Sequence, residues 1–320
     1  MSNNTILSNH IKELKYSLTP DVIGFKIVFV NVYMIGEPRE GGKWILVDAG
    51  LQGYAGKIKA EAEALYGKNT KPEAIILTHG HFDHVGALPE LLKDWDVPVY
   101  AHPLEEPYLT GKSSYPPADP GVGGGTMAYM SWMFPSSPIN ISNNLHLLPK
   151  HGHVPHLDGW KYIHTPGNAP GHISLFRESD RTLIAGDAIT TVNQSSASAV
   201  YSQKQELLGP PHYFTIDWEN AQDSVNDLAD LEPFALGSGH GLPMFGEKLK
   251  HELNNLSENF EQVALPKRGR YLKYPAYTDK NGIISMPTPV SSYVAKGLAV
   301  LFIGVIISTI TYSILKNKNN

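Results

Sequence analysis

The 320-residue sequence predicts an α/β fold whose functional side chains lie at the ends of strands, with a C-terminal transmembrane helix in addition. Three observations support this prediction. Short apolar runs rich in β-branched residues alternate with segments of helical periodicity, which is the pattern of α/β proteins. Histidine or aspartate directly follows several of these runs. Residues 297–315 form an uncharged apolar stretch, which is typical of a membrane span.

The composition limits the kinds of site and partner. With 42% hydrophobic residues, the chain has enough apolar side chains for a large core. The sequence has no cysteine, so histidine, aspartate and glutamate must hold any metal ion. The formal net charge is -5 and the 26 lysines and arginines are scattered, so we expect no nucleic-acid partner.

The first elements are predicted to be a hairpin and a helix. Residues 1–19 lack the apolar core of a secretory signal, so we expect no cleaved signal peptide. Residues 25–35 are rich in β-branched and aromatic residues and predict a strand that pairs with residues 43–47 across a turn. Residues 54–66 carry apolar side chains at helical spacing and stop at Gly67, which predicts a capped helix.

The densest group of metal-ligating residues follows the apolar run of residues 74–77. This run predicts a buried strand, and His79, His81, Asp83 and His84 come directly after it. In an extended segment alternate side chains point the same way, so His79 and His81 can reach one metal ion. The turn that follows can direct Asp83 and His84 toward a second ion. Imidazole nitrogen and carboxylate oxygen are ligands of zinc and similar divalent ions.

A long excursion interrupts the regular elements after this motif. Residues 85–92 predict a short helix, and residues 97–101 predict the next strand. Residues 106–140 are rich in Pro, Gly and Ser, and they also contain several aromatic residues and methionines. Loops of this length inside a compact domain are usually functional or disordered, and the aromatic content favours an ordered lid or pocket wall.

The second half repeats the placement of metal ligands after apolar runs. Residues 160–164 predict a strand, and the turn-rich loop after it contains His172. Asp187 and His240 each follow a further short apolar run. A glycine or proline stands near each of these three residues and lets the backbone approach an ion closely. Residues 217–231 predict an amphipathic helix with an aspartate at its N-cap.

The order of these histidines and aspartates resembles the metallo-β-lactamase superfamily, which includes glyoxalase II type thioesterases and acyl-homoserine lactonases. The resemblance covers about residues 25–241. It implies an αββα sandwich with a pair of metal ions at one edge of the sheets. The implied ligands are His79, His81 and His172 for the first ion, Asp83, His84 and His240 for the second, and Asp187 as a bridge between them.

The resemblance also assigns two positions that are not ligands. Asp48 ends its strand as Asp-Ala-Gly and matches a family position that supports the site from behind the ligands. Many relatives have a histidine where this chain has Asn168, in the loop before His172. That position does not contact the metal in the family, so the implied ligand set is unchanged.

The ligand set predicts a metal-dependent hydrolase. Two ions that share a carboxylate lower the pKa of a bridging water toward neutrality, so that hydroxide can attack an ester, thioester or lactone. Asp83 has a second oxygen that can accept and return a proton, so we predict it to be catalytic. We expect two Zn²⁺ ions, with iron or manganese as alternatives, and a small-molecule substrate. The sequence identifies neither that substrate nor the oligomeric state.

Two other functions fit the same motif order. Persulfide dioxygenases resemble glyoxalase II and use a single iron held by two histidines and an aspartate, which makes an oxidoreductase the first alternative. A metal-dependent phosphodiesterase or nuclease is the second, and the negative net charge disfavours it. A further cluster of His151, His153 and His156 has no ligand counterpart in the family, so we expect no metal there.

The domain prediction divides the chain into three parts. Residues 1–265 form the catalytic domain and include a helix over residues 246–263, and residues 266–293 form a tail or linker. Residues 294–316 form a transmembrane anchor, because the uncharged stretch inside it spans about 28 Å at 1.5 Å per residue. We therefore expect a single-pass C-terminal membrane anchor with the catalytic domain in the cytoplasm.

Overall fold

Two β-sheets pack face to face in this protein, and helices cover their outer faces. The computed structural model describes residues 15–288. Within that range the first sheet consists of seven consecutive strands, in the spatial order of the sequence. They are β1 (Lys15–Thr19), β2 (Val22–Ile27), β3 (Val30–Ile35), β4 (Ile45–Val47), β5 (Ala74–Ile76), β6 (Val99–Ala101) and β7 (Leu145–Leu147).

The second sheet is built from the following part of the chain. The strands in this part of the chain are β8 (Trp160–His164), β9 (Ile173–Arg177), β10 (Thr182–Ile184), β11 (Thr190–Val192), β12 (Gln205–Leu208), β13 (Ala235–Gly237) and β14 (Met244–Phe245). Five of the described strands form this sheet, in the order β14, β13, β10, β9, β8. The strands β11 and β12 pair separately, as do β15 (Tyr277–Asp279) and β16 (Gly282–Ser285).

Strand direction changes within both sheets. In the first sheet β1 to β4 pair antiparallel, and β4 to β7 pair parallel. In the second sheet only the pair of β10 and β13 is parallel among the described pairings. Parallel neighbours end at the same edge of a sheet, so residues that follow β5 share one edge with residues that follow β4. The same holds for residues that follow β10 and β13.

Nine α-helices are present among the described residues, and the longer ones form the two outer layers. Their bounds are α1 (Ala55–Tyr66), α2 (Phe82–Val85), α3 (Leu88–Asp94), α4 (Glu106–Leu109), α5 (Thr126–Met130), α6 (Ala197–Ser202), α7 (Trp218–Asp230), α8 (Gly246–Glu258) and α9 (Phe260–Val263). The helices α1 and α3 pack on the first sheet, and α7 and α8 pack on the second.

Alternate residues of the central strands face different parts of the core. In β4, Leu46 packs toward α1 and α3, whereas Ile45 and Val47 pack toward the second sheet. In β10, Leu183 packs toward α7 and α8, and Ile184 packs toward the first sheet. Both faces of these strands are buried, which explains why their sequences are continuous apolar runs. The predicted αββα sandwich is therefore confirmed.

Several predicted elements are confirmed, and one strand prediction is wrong. The predicted helix over residues 54–66 is present as α1 and ends at Gly67, whose φ of 96° permits the change of direction. Asp217 caps α7, since its side chain accepts from the amide of Asn220. Residues 25–35 are not one strand, because the chain reverses at Val28, which has a φ of 58°. This turn lacks the Gly, Pro or Asn that usually marks a reversal, so its sequence looks like continuous strand.

The long excursion over residues 106–140 is ordered into short helices. It contains α4, α5 and two 3-10 helices, Pro120–Val122 and Ser131–Met133. Val122 and Ala128 are buried against the aromatic pair Tyr213 and Phe214. The excursion is thus ordered and partly buried, and its role as a lid or pocket wall stays a prediction.

Residues 266–288 contact the rest of the domain. The Tyr271 hydroxyl donates to the Pro117 carbonyl at 2.8 Å, and Tyr271 is buried with α7 and α8. The Arg270 amide donates to the Asp119 carboxylate at 2.5 Å. The division of the chain at residue 265 stays a prediction.

The structure corrects the membrane part of the predicted fold class. The longest helices among residues 15–288, α7 and α8, have 13 residues each. At 1.5 Å per residue each is about 20 Å long, which is short of a bilayer core of about 30 Å. No helix in the described part of the chain could cross a membrane. This finding contradicts the predicted transmembrane helix and the anchored, cytoplasm-facing location. Residues 294–316, to which the helix was assigned, lie outside the described residues.

Candidate metal centre

The seven predicted ligand residues are all buried, and they lie at the ends of strands where the two sheets meet. Six of them form two groups, in each of which the ligand atoms lie within 4.8 Å of one another. The first group is His79, His81 and Asp187, and the second is Asp83, His84 and His240. The seventh, His172, has its ring 5.0 Å from the ring of His79.

Local structure explains how these side chains reach one place. His79 and His81 follow β5, and α2 then turns the chain so that Asp83 and His84 face back toward the histidines. His172 immediately precedes β9 in the other sheet. Asp187 follows β10 and His240 follows β13, and these two strands are parallel neighbours that end at the same edge.

The first three histidines are neutral and closely packed. The ring atoms His79 Nε2 and His81 Nδ1 are 2.9 Å apart, and His172 Nε2 accepts from the Asp187 amide at 2.8 Å. Burial lowers the pKa of His81 and of His172 to about 3 and lowers that of His79 well below its usual range. Neutral imidazole is the form that binds metal ions, so the lowered pKa values favour binding by these rings.

Asp187 lies between the two groups. Its carboxylate is 3.3 Å from His240 Nε2, 3.4 Å from His84 Nε2 and 3.9 Å from His79 Nε2. Burial by itself would raise the pKa of Asp187, but the charges of His240 and His84 hold it well below its usual range. Asp187 is therefore a carboxylate that contacts both groups.

The surroundings of the two histidines in the second group favour positive charge on their rings. Burial opposes protonation of His84 and His240, yet the pKa of each is raised, by Asp187 and Asp48 at His84 and by Asp187 and Asp83 at His240. Burial raises the pKa of Asp83, against the opposing charges of His84 and His240. Three carboxylates thus surround two imidazoles, which is an environment suited to a cation.

Unpaired polar atoms in the centre show that the residues fit metal ions. Among the described residues, Asp83 Oδ1 is buried without a hydrogen-bond partner, and His84 Nε2 and Asp187 Oδ1 face each other at 3.4 Å without forming a hydrogen bond. Unpaired buried polar atoms are unfavourable, and cations coordinated at these atoms would satisfy them. Gly239 keeps the space open, because a Cβ there would lie 2.1 Å from Asp187 Oδ1.

Asp48 supports the centre from behind, as the resemblance implied. Its Oδ1 accepts from the Thr78 amide at 2.8 Å, and its Oδ2 accepts from the Thr78 hydroxyl and lies 2.8 Å from His84 Nδ1. This contact orients the His84 ring so that Nε2 faces Asp187. Asp48 has a φ of 61°, a left-handed conformation that aspartate tolerates better than most residues.

Two contacts that hold His240 in place were not predicted from the sequence. The Asn31 side-chain amide donates to the carbonyls of Ser238 at 2.8 Å and Gly241 at 2.7 Å, which flank the histidine. The Phe29 carbonyl lies 2.8 Å from His240 Nδ1. The one signal in the sequence was a polar Asn31 within an apolar strand, because a buried amide in a strand needs partners.

An aromatic wall, defined here as Phe82, Tyr115, Phe134, Tyr213 and Phe214, borders the centre. The rings of Tyr115 and Phe214 are each 4.6 Å from the His81 ring, and Phe82 and Phe134 stack at 5.7 Å. Burial raises the pKa of Tyr213 well above its usual range, and the nearby charges of the aspartates at positions 83 and 187 add to the effect.

The remaining histidine cluster lies elsewhere. His151, His153 and His156 are outside the buried core, on the segment that precedes β8. The His156 ring is 6.0 Å from the ring of Tyr100, which belongs to β6. None of the three is in the metal-competent groups found among the described residues.

Comparisons with known proteins agree with the fold. The model of the metallo-beta-lactamase superfamily matches residues 26–240. The probable metallo-hydrolase YflN of Bacillus subtilis (strain 168) is 49% identical over 242 residues, which cover 76% of this chain and 92% of the relative. A second probable metallo-hydrolase of that organism, YybB, is 29% identical over 235 residues, which cover 73% of this chain and 89% of the relative.

A solved structure shows the same fold. The metallo-beta-lactamase family protein TTHA1429 from Thermus thermophilus aligns with a TM-score of 0.51 and 18% identity. The alignment covers 77% of this chain and 81% of the Thermus chain. At this level of identity the likeness concerns the architecture.

Proposed function

This chain belongs to the metallo-beta-lactamase superfamily and is a metallo-hydrolase of that fold, and on this premise we propose that it cleaves esters, thioesters or lactones with two zinc ions. One observation carries the proposal: two groups of three metal-competent side chains lie side by side, and Asp187 of the first group also contacts His84 and His240 of the second. A single ion in the first group would leave the second donor group uncoordinated, with Asp83 Oδ1 buried and unpaired.

We assign the first ion to His79, His81 and His172, the second to Asp83, His84 and His240, and a shared role to Asp187. Bound zinc would supply a nucleophile at neutral pH by making water more acidic, and it would polarise the substrate carbonyl. Asp83 would hold the second ion through one carboxylate oxygen, and its other oxygen would be free to accept and return a proton.

The aromatic wall supports a substrate with an apolar acyl or aryl group. Phe214 and Tyr115 contact His81, so an apolar group placed on the wall would lie beside the reacting carbonyl. Tyr213 lies close enough to Asp83 and Asp187 for their charges to raise its pKa. This ring therefore places the wall beside two of the candidate ligands.

Metal analysis and a substrate panel test the proposal together. We expect two zinc equivalents per chain in purified protein, and turnover of at least one lactone, thioester or aryl ester. Chelation should abolish this turnover, and added Zn²⁺ should restore it. Protein that binds two zinc ions but cleaves only phosphodiesters would contradict the proposed substrate class. Protein that binds no metal would contradict the centre itself.

One observation favours a second candidate, an iron-dependent oxidoreductase. The first group, His79, His81 and Asp187, has two imidazoles and one carboxylate, which is the donor set of many oxygen-activating iron enzymes. The same metal analysis separates the candidates. One iron equivalent, with oxygen consumption in the presence of a persulfide, would favour the oxidoreductase over the hydrolase.

A further inference from the structure

A buried glutamate joins two loops that carry candidate ligands. Glu105 ends the 3-10 helix Pro103–Glu105 after β6, and it is fully buried. Its Oε2 accepts from the Gly80 amide at 2.8 Å, and its Oε1 accepts from the Gly171 amide at 2.7 Å. The Tyr115 hydroxyl also donates to Oε2. One carboxylate therefore binds two separate segments of backbone.

The two amides stand next to three of the candidate ligands. Gly80 lies between His79 and His81 in the loop after β5, which belongs to the first sheet. Gly171 directly precedes His172 in the loop before β9, which belongs to the second sheet. A shift of the Glu105 carboxylate would consequently change the spacing of imidazoles that come from different sheets.

Close packing explains why both loop positions are glycine. A Cβ at Gly171 would lie 2.8 Å from Glu105 Cγ and 2.9 Å from the Glu105 amide nitrogen. A Cβ at Gly80 would lie 2.6 Å from the Tyr115 hydroxyl oxygen. A longer side chain at either position would push the carboxylate away from one of its donors.

The contacts of Glu105 indicate a positioning role and not a catalytic one. Both carboxylate oxygens are engaged by donors, so neither is directed at a substrate. The donors are two amides and a phenol, all neutral, and burial of a carboxylate among neutral donors is unfavourable for folding. The Tyr115 ring also packs edge-on against the His81 ring at 4.6 Å, which adds a second link to the same ligand.

We propose that Glu105 is a positioning residue, which holds the loops of Gly80 and Gly171 so that His79, His81 and His172 can bind one metal ion. This inference rests on the proposed function, because it presupposes that the three imidazoles are ligands. Groups of this kind, which hydrogen-bond around a metal site without coordinating the ion, commonly change metal affinity by about 10- to 100-fold.

The test compares metal binding by Glu105→Gln and wild type. A glutamine side chain offers one acceptor oxygen, and its NH₂ group would face an N–H donor, so at least one loop contact is lost. We expect Zn²⁺ affinity, measured by competition with a chromogenic chelator, to fall about 10- to 100-fold. The visible absorption spectrum of Co²⁺-loaded protein should change as well, because it reports ligand geometry. Circular dichroism and thermal unfolding of the metal-free variant establish that it folds.

Two further variants make the result decisive. Glu106→Gln alters the neighbouring carboxylate, which pairs with Lys112 near the surface, and it should retain wild-type affinity and spectrum. Tyr115→Phe removes one donor to Glu105 and one acceptor of the Gly80 amide, but it leaves both amide contacts of Glu105, so we expect a smaller loss of affinity than in Glu105→Gln. If Glu105→Gln does not fold, Tyr115→Phe alone decides the matter.

Unchanged affinity and an unchanged Co²⁺ spectrum in folded Glu105→Gln would overturn the positioning role. The same result in Tyr115→Phe would overturn it if that variant is the one available. Failure of wild-type protein to bind Zn²⁺ or Co²⁺ would instead count against the proposed function. The two failures are therefore distinguishable.

Discussion

At the scale of single residues, Asp187 is the side chain on which the candidate centre depends most. It contacts both donor groups, and its charge stabilises positive charge on His84 and His240. Replacing Asp187 by Asn removes this charge and leaves one oxygen that can serve as a ligand. We expect Asp187→Asn to bind fewer metal ions and to hydrolyse substrate at least about 100-fold more slowly. Metal content and steady-state kinetics measure the two effects.

The matched control for this substitution is His151→Gln. His151 is an exposed ring outside the centre, so this variant should keep wild-type metal content and turnover. An Asp187→Asn protein with full metal occupancy and normal turnover would show that two bridged ions are not used.

At the scale of elements, strand β3 is tied to the loop that carries His240. The Asn31 side chain donates to the carbonyls of Ser238 and Gly241, so Asn31→Ala leaves two buried acceptors without this donor. We expect the free energy of unfolding to fall by about 1 to 3 kcal/mol. Urea titration of the metal-free protein measures this change. In Asn254→Ala, at an exposed position of α8, the change should stay within about 0.5 kcal/mol, and equal effects in the two variants would contradict the argument.

The packing of α7 on the second sheet gives a further prediction at this scale. Leu228 is fully buried between α7, α8 and the sheet, so Leu228→Ala should lower the free energy of unfolding by about 2 to 5 kcal/mol. Thermal or urea denaturation tests this, with the exposed neighbour Asp227→Ala as control. A loss below about 0.5 kcal/mol would mean that this helix does not pack as described.

At the scale of the whole molecule, an ion pair connects the two sheets. Arg177 of β9 donates to Asp21 in the turn between β1 and β2, with Nη2 to Oδ1 at 2.9 Å, and it holds the pKa of Asp21 below its ordinary value of 3.8. A carboxyl whose pKa is lower in the folded state than in the unfolded state stabilises the folded protein at pH values above the unfolded pKa. This stabilisation is lost as pH falls through the folded pKa.

Asp21→Asn should therefore destabilise the protein in a pH-dependent way. Because Asp21 is partly exposed, we expect a loss of about 1 kcal/mol near pH 7. The difference from wild type should shrink as pH falls below 3.8, where the carboxyl of the unfolded chain is protonated, and should disappear below the lower pKa of folded Asp21. Urea titrations across this range measure the difference. In an Arg177→Met background Asp21→Asn should have little effect, and a difference independent of both pH and Arg177 would refute the assignment.

Local sequence patterns were enough to predict much of this architecture. Helix α1 and the cap of α7 follow from spacing and capping residues within one segment, and both are present. The turn at Val28 could not be read, because its residues are those of a strand and the reversal is selected by pairing with neighbouring strands. The predicted transmembrane helix was an inference from length and apolar content alone, and the described part of the chain has no helix of that kind.

The sequence by itself determined which donor types the candidate centre contains, because residue type and order are properties of the chain. His79 and His81 are neighbours in sequence, and alternation along an extended segment already places them side by side. The tertiary structure alone decided which residues hold those ligands in place. Asn31 binds carbonyls that are 207 and 210 residues away in sequence, and Glu105 binds Gly171 across 66 residues. Such contacts arise only when two sheets pack, and hydrophobic periodicity and local spacing carry no information about them.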